Sequence, residues 1–177
     1  MFRKITSTIL LALAIVFLGS CDAQRKSTQG GEAGPSASQW RAAVKGAWVL
    51  ESVTREDIPQ AYTIKNIFDE APVDCFLRSV WELPGGNHKG SINFTADGNL
   101  CAPGASRAIV WSIYNPKNSY EQPQFQFKKI YAGEKPSQVD SGYRMKLSYA
   151  DESRLELRLP IALDEGEGHL VFKFRKQ

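Results

Sequence analysis

The sequence predicts an all-β fold, an eight-stranded antiparallel up-and-down barrel with one short helix. Three observations carry this expectation. Residues Arg154-Leu155-Glu156-Leu157-Arg158-Leu159 and Tyr143-Arg144-Met145-Lys146-Leu147-Ser148-Tyr149 alternate polar and apolar side chains with period two, as half-buried strands do. Short segments of the same character recur through most of the chain with turn residues between them. The apolar positions of these segments also fall on one common face, as the inside of a barrel requires.

The chain opens with Arg3 and Lys4 and then an unbroken apolar run of ten residues, Ile9 to Leu18. A basic start and a short apolar stretch are the parts of a cleaved secretion signal. Ten residues cannot span a bilayer, which takes roughly 20. The Leu18-Gly19-Ser20-Cys21 sequence that follows resembles the lipobox of bacterial lipoproteins. That resemblance implies removal of residues 1–20 and attachment of diacylglycerol to the sulfur of Cys21, so that the membrane becomes a partner through an N-terminal lipid. The three acyl chains usual in that family would hold the protein firmly, whereas one chain binds only marginally. The expected address is the bacterial cell envelope, the outer membrane first. The periplasmic or surface face stays open, and Asp22 after the anchor is an inner-membrane retention cue in some enteric bacteria.

Residues 21–39 follow as the lipidated cysteine and a linker. From Asp22 to Gln39 there is no aromatic and no large aliphatic residue, so the segment has nothing with which to build a core. A flexible coil of this length reaches on the order of 25 Å. Residues 40–177 are then one domain, long enough to bury a substantial core. Without the leader, 20 basic residues face 19 acidic ones, a net charge of +1. Nucleic acid is excluded as a partner on that ground, because phosphate binding needs clustered Lys and Arg. The cluster Lys173, Arg175 and Lys176 reads as the solvated side of a strand.

Within the domain, strands are expected at Gly46 to Thr54, Cys75 to Leu83, Lys89 to Thr95, Arg107 to Tyr114, Gln124 to Tyr131 and His169 to Arg175. The hairpin 143–160 completes the eight, its reversal falling at Tyr149-Ala150-Asp151-Glu152-Ser153. Thr95-Ala96-Asp97-Gly98-Asn99 is a turn. Pro59 to Phe68 is the expected helix, since Ala61, Ile64, Ile67 and Phe68 would share one face.

Gly46-Ala47-Trp48 at the opening of the first strand and Arg175 near the end of the last resemble the Gly-x-Trp and terminal Arg of lipocalin-like β-barrels. Cys75-Phe76, Trp81, the Thr-Ala-Asp-Gly turn and Cys101 are similar to bacterial lipocalin-like lipoproteins in particular. The resemblance spans most of residues 44–177, without the Thr-Asp-Tyr motif of the secreted lipocalins. It implies that Arg175 lies across the Trp48 ring and closes one end of the barrel, a cation–π contact. It also implies a small hydrophobic ligand.

With Cys21 assigned to lipid, Cys75 and Cys101 remain as an even pair in an oxidising compartment, and a disulfide between them is expected. It would stabilise the fold by roughly 3 to 4 kcal/mol. No metal and no cofactor is expected, since His88 and His169 are the only histidines and no Cys-x-x-Cys spacing exists. No catalytic residue is expected either, because the chain has no Gly-x-Ser-x-Gly elbow, phosphate loop or His-Glu-x-x-His. Asp164, Glu165 and Glu167 read as a solvated acidic turn. The Asn93-Phe94-Thr95 sequon would carry no sugar in a bacterial lipoprotein.

The inward face collects Leu77, Ile109, Ile113, Leu147, Leu170, Phe172 and Phe174, together with the candidate ligand-binding residues Trp81, Trp111, Phe125, Phe127, Tyr143 and Met145. Eight strands enclose a space just wide enough for side chains to fill. The expected interior is therefore mostly filled, with any cavity small and aromatic. Two functions stay open: a membrane-tethered binder of a small apolar or amphipathic ligand, and a non-catalytic module docking on another envelope protein. The loop Pro116 to Gln124, with Tyr120, is the candidate docking patch.

Overall fold

Period two organises the folded chain as it does the sequence. The computed structural model describes residues 35–117 and 121–177. Eight strands among them, β1 (Gly46–Glu56), β2 (Val80–Leu83), β3 (Lys89–Asn93), β4 (Ser106–Tyr114), β5 (Gln124–Lys129), β6 (Tyr143–Ala150), β7 (Arg154–Ala162) and β8 (Glu167–Lys176), pair in sequence order. All neighbours are antiparallel, and β8 returns to pair with β1, closing an up-and-down barrel. Register irregularities between Leu50 and Ser52 in β1 and between Leu147 and Tyr149 in β6 give the local bending that closure needs.

Two expected elements differ. The α-helix is α1 (Ala37–Val44), not residues 59–68. A capping box starts it: Ser36 Oγ accepts from the Gln39 amide at 3.3 Å, and Gln39 Oε1 accepts from the Ser36 amide at 2.7 Å. The helix thus begins within the last residues of the span expected as linker. Residues 59–68 form no helix: Ile67 is drawn into an antiparallel bridge with Ala71, and Phe68 at φ +53° has left the helical region altogether. The second strand is shorter than expected. Val73–Phe76 form a 3₁₀ turn, and Arg78 at φ +62° breaks the extended run before Val80. Leu77, expected to point inward, lies in this connection and is only half-buried.

The two ends of the barrel are closed differently. At one end α1 lies beside the ends of β4 and β6, and Asn115 Nδ2 donates to the Pro35 carbonyl at 3.3 Å. Val44 and Trp48 are fully buried there, and the Trp48 indole N–H donates to the Val44 carbonyl at 2.7 Å. At the other end residues 57–79, the connection from β1 to β2, fold across the opening. Their first residues pass so close over β8 that a Cβ on Gly168 would stand 2.5 Å from Ile58 Cγ1 and 2.8 Å from the Asp57 carbonyl oxygen. The Cys75–Cys101 disulfide, with Cα atoms 5.1 Å apart, ties this connection to the one between β3 and β4. That bond is as expected from the cysteine count.

Candidate functional site

The connection 57–79 does more than cover the barrel end, because it inserts a side chain into it. Phe68 is 4% exposed, and its ring centroid lies 5.1 Å from Phe127, 5.3 Å from Tyr143, 5.5 Å from Phe76, 5.8 Å from Phe172 and 6.2 Å from Trp81. Most of these contacts are edge-to-face, the arrangement ring quadrupoles favour. Four of the five partners, Trp81, Phe127, Tyr143 and Phe172, come from barrel strands and are among the inward positions read from sequence. Phe68 is therefore a plug in an aromatic socket.

The plug is held at a conformational cost. Phe68 and Asp69 have φ of +53° and +47°, the left-handed region that residues with a Cβ seldom enter. Such residues cost of order 1–3 kcal/mol each. Burying one Phe ring contributes about 1.5–3 kcal/mol. Ring and backbone thus come near to cancelling, and polar contacts decide whether the plug stays in.

Those contacts converge on Asp69 and Glu70. Arg107 grips the Glu70 carboxylate bidentately, Nη2 to Oε1 at 2.6 Å and Nε to Oε2 at 3.2 Å. Lys129 Nζ donates to Glu70 Oε2 at 3.0 Å and to the Asp69 carbonyl at 3.1 Å. Tyr143 Oη donates to Asp69 Oδ2 at 3.0 Å. Lys129 is 8% exposed, an inward-facing cation at the end of β5, with the Tyr143 and Tyr131 rings 5.6 and 5.8 Å from Nζ. The Arg107 guanidinium lies 4.6 Å from the Tyr131 centroid. Burial opposes ionisation of Glu70, but the hydrogen bonds and charges of Arg107 and Lys129 outweigh it and hold the carboxyl below its ordinary range. Burial likewise opposes the Lys129 charge, and the Glu70 carboxylate together with the Tyr131 and Tyr143 phenols more than restores it, raising the ammonium's pKa. Burial and the Asp69 carboxylate together raise the Tyr143 phenol, keeping its proton in place. A crevice of about 200 Å³ opens beside this cluster, lined in part by Asp69, Lys129, Tyr131 and Tyr143.

The sequence-derived candidates distribute as follows. Trp81, Phe125, Phe127, Tyr143 and Met145 form one packed group beneath Phe68; Trp81 lies 5.7 Å from Phe127 and 6.3 Å from Phe125, and Met145 pairs with Phe125 across β5 and β6. The Trp81 indole N–H is satisfied by Ser79 Oγ at 3.0 Å. Trp111 stands apart from the plug, stacked on Phe125 at 5.9 Å and meeting His88 at 5.5 Å. Two grooves of about 300 and 550 Å³ lie over outward-facing side chains such as Ser112, Gln126 and Arg144, or Glu156, Arg158 and Lys173.

Barrel closure by Arg175 over Trp48 requires correction. The register pairs Trp48 with Lys176 and Val49 with Arg175, so alternation turns Lys176 toward the ring and Arg175 outward. Lys176 Nζ lies 5.0 Å from the Trp48 centroid, while Arg175 Nε bonds Glu51 Oε1 at 2.9 Å on the surface. In the acidic turn, Glu167 Oε1 pairs with Lys146 Nζ at 2.6 Å and His169 Nε2 at 3.2 Å. Among the described residues no group of three or more His, Cys, Asp or Glu could hold a metal ion. Cys21 and Tyr120 lie outside the described residues.

Sequence reasoning missed Phe68 as a plug, and Asp69, Glu70, Arg107 and Lys129 as its fastening. One signal was available: period two in Phe125-Gln126-Phe127-Lys128-Lys129 sets Lys129 on the same inward face as two phenylalanines, where a lone cation demands a partner. Comparison of the chain with family models, with curated proteins and with solved structures finds no match.

Proposed function

We propose that the protein is a lipid-anchored envelope lipoprotein whose lipocalin-like barrel binds a small hydrophobic ligand at the end occupied by Phe68. The observation that carries this reading is the socket itself. Five rings surround a side chain supplied by a connection rather than by a strand, so withdrawal of one loop residue leaves a concave aromatic site without unmaking the barrel. The polar groups at its rim, Tyr143, Lys129 and Arg107, are the few oriented contacts such sites use for specificity.

The anchor is part of the proposal and rests on the Leu18-Gly19-Ser20-Cys21 sequence. Metabolic labelling with palmitate tests it: label that survives Cys21→Ser removes the anchor. For the binding activity, the chain is purified from its host's envelope and weighed under native conditions. A discrete extra mass of a few hundred daltons, released on denaturation, is expected. A bare mass across independent preparations, together with a stoichiometric envelope protein, would favour the second reading, a docking module. The close packing of the interior rings is the observation on that side.

A further inference from the structure

We infer that Phe68 and Glu70 are a tethered stand-in for the ligand, and that the ligand this barrel accepts is an amphipathic monocarboxylate, an apolar body bearing a single carboxylate head. This rests on the binding function proposed above and names its ligand class.

The argument starts from what the plug would leave behind. Withdrawal of residues 68–70 empties the aromatic socket and takes away the Glu70 carboxylate. Lys129, nearly buried, and Arg107, its side chain 27% exposed, would then face the opening with the carboxylate they share removed. A desolvated cation stripped of its counter-ion is costly, so the open barrel is unfavourable until another anion arrives. Neutral apolar ligands could fill the socket but would leave both cations bare. An anionic ligand replaces both halves of the plug at once.

The geometry specifies the head further. Arg107 presents Nε and Nη2 to the two oxygens of one planar carboxylate, the fork arrangement that guanidinium and carboxylate share. Lys129 adds a third donor on Oε2. The second acid of the loop, Asp69, is engaged by Tyr143 instead, so the two cations converge on one carboxylate. Ring and head are carried two residues apart, hence on backbone positions within about 7 Å. The ligand's carboxylate should therefore lie close to its apolar body. The crevice beside Lys129 gives an incoming head direct access to the cation before the plug leaves.

The internal competitor lowers apparent affinity in proportion to the time it occupies the site, so loosening it should reveal binding. The test titrates the full chain with cis-parinaric acid and with its methyl ester, followed by probe fluorescence, in wild type, Glu70→Gln and Phe68→Ala. Circular dichroism and the intact disulfide certify folding. Both variants should bind the acid at least about tenfold tighter than wild type, and the acid at least about tenfold tighter than the ester. Adding Lys129→Met to Glu70→Gln should close the gap between acid and ester. Equal gains for acid and ester in a folded variant would overturn the carboxylate inference while leaving the binder standing. No binding of either probe to folded Glu70→Gln or Phe68→Ala would overturn both. Should Glu70→Gln fail to fold, Phe68→Ala with the same two probes decides.

Discussion

The two ends of the barrel are closed by opposite means. The helix end uses apolar burial and a neutral hydrogen bond: Val44 and Trp48 are inaccessible, and the one polar group of the indole is spent on a main-chain carbonyl. The loop end uses a plug held in left-handed conformation at Phe68 and Asp69, a ring in a socket and a carboxylate shared between two cations. Closure by burial comes apart only when the core does. Closure by a strained, charge-fastened segment can be released locally, because each ion pair can be exchanged for water or for another anion. The difference assigns stability to one end and exchange to the other.

Trp48→Ala should have the largest effect. Removing a fully buried indole costs about 3–5 kcal/mol. It also frees the Val44 carbonyl at the base of α1. Urea denaturation should show the full loss, while parinaric acid binding by the protein still folded stays at the wild-type level. A gain in binding would break the assignment of the ends.

Removal of the disulfide by Cys75→Ser with Cys101→Ser should cost roughly 3 to 4 kcal/mol globally. Its local signature separates the ends. Hydrogen exchange should accelerate first in residues 57–79 and 94–105, which the bond ties together, and last at Val44 to Leu50. Uniform acceleration would deny that the loop end is a separable unit.

Glu70→Gln should cost about 1.5–3 kcal/mol at neutral pH, the range for a lost hydrogen bond to a charged group. Its pH dependence follows from the direction of the shift. The folded carboxyl lies below its ordinary value of 4.5, so its ionisation stabilises the folded state above that value. The contribution is lost as pH falls through the folded value. Melting temperatures of wild type and Glu70→Gln should therefore differ fully above about pH 5 and converge in more acid solution. A gap that widens with acid would show that Glu70 is not the group holding the loop.

The contrast between the ends also explains what the sequence discloses. Alternation exposed all eight strands, because burial on one face of a sheet imposes period two on every segment such as Tyr143–Ala150. The barrel residues of the socket were legible for the same reason. Phe68 was not. Its position depends on a non-periodic connection and on two backbone conformations that propensity disfavours, and an apolar residue after Ile64 and Ile67 fits a helix equally well. Glu70 and Arg107 are 37 residues apart, and no local pattern reports that a loop folds back over β4. The helix was misplaced for a related reason: Ser36 and Gln39 make a capping box that a Gly- and Ser-rich approach conceals.

The smallest predicted effect tests a single step of register. If Lys176 rather than Arg175 faces Trp48, Lys176→Met should lose the cation over the indole and the bond from Nζ to the Lys45 carbonyl, 3.2 Å long. The expected cost is about 0.5–1 kcal/mol, since the site is partly exposed. Arg175→Ala removes a surface pair whose side chains are 58% and 52% exposed, and should cost less than about 0.5 kcal/mol. Both changes are read by the urea midpoint, and the Trp fluorescence maximum should move only for Lys176→Met. The reverse order would place Arg175 over the ring and shift β8 by one residue against β1, turning Phe172 and Phe174 outward. Their complete burial, with the pairing of Leu50 to Phe174 and Val53 to Phe172, is incompatible with that slip. The helix end is thus fixed by the same alternation that builds the barrel, whereas the loop end is held by contacts that a ligand can replace.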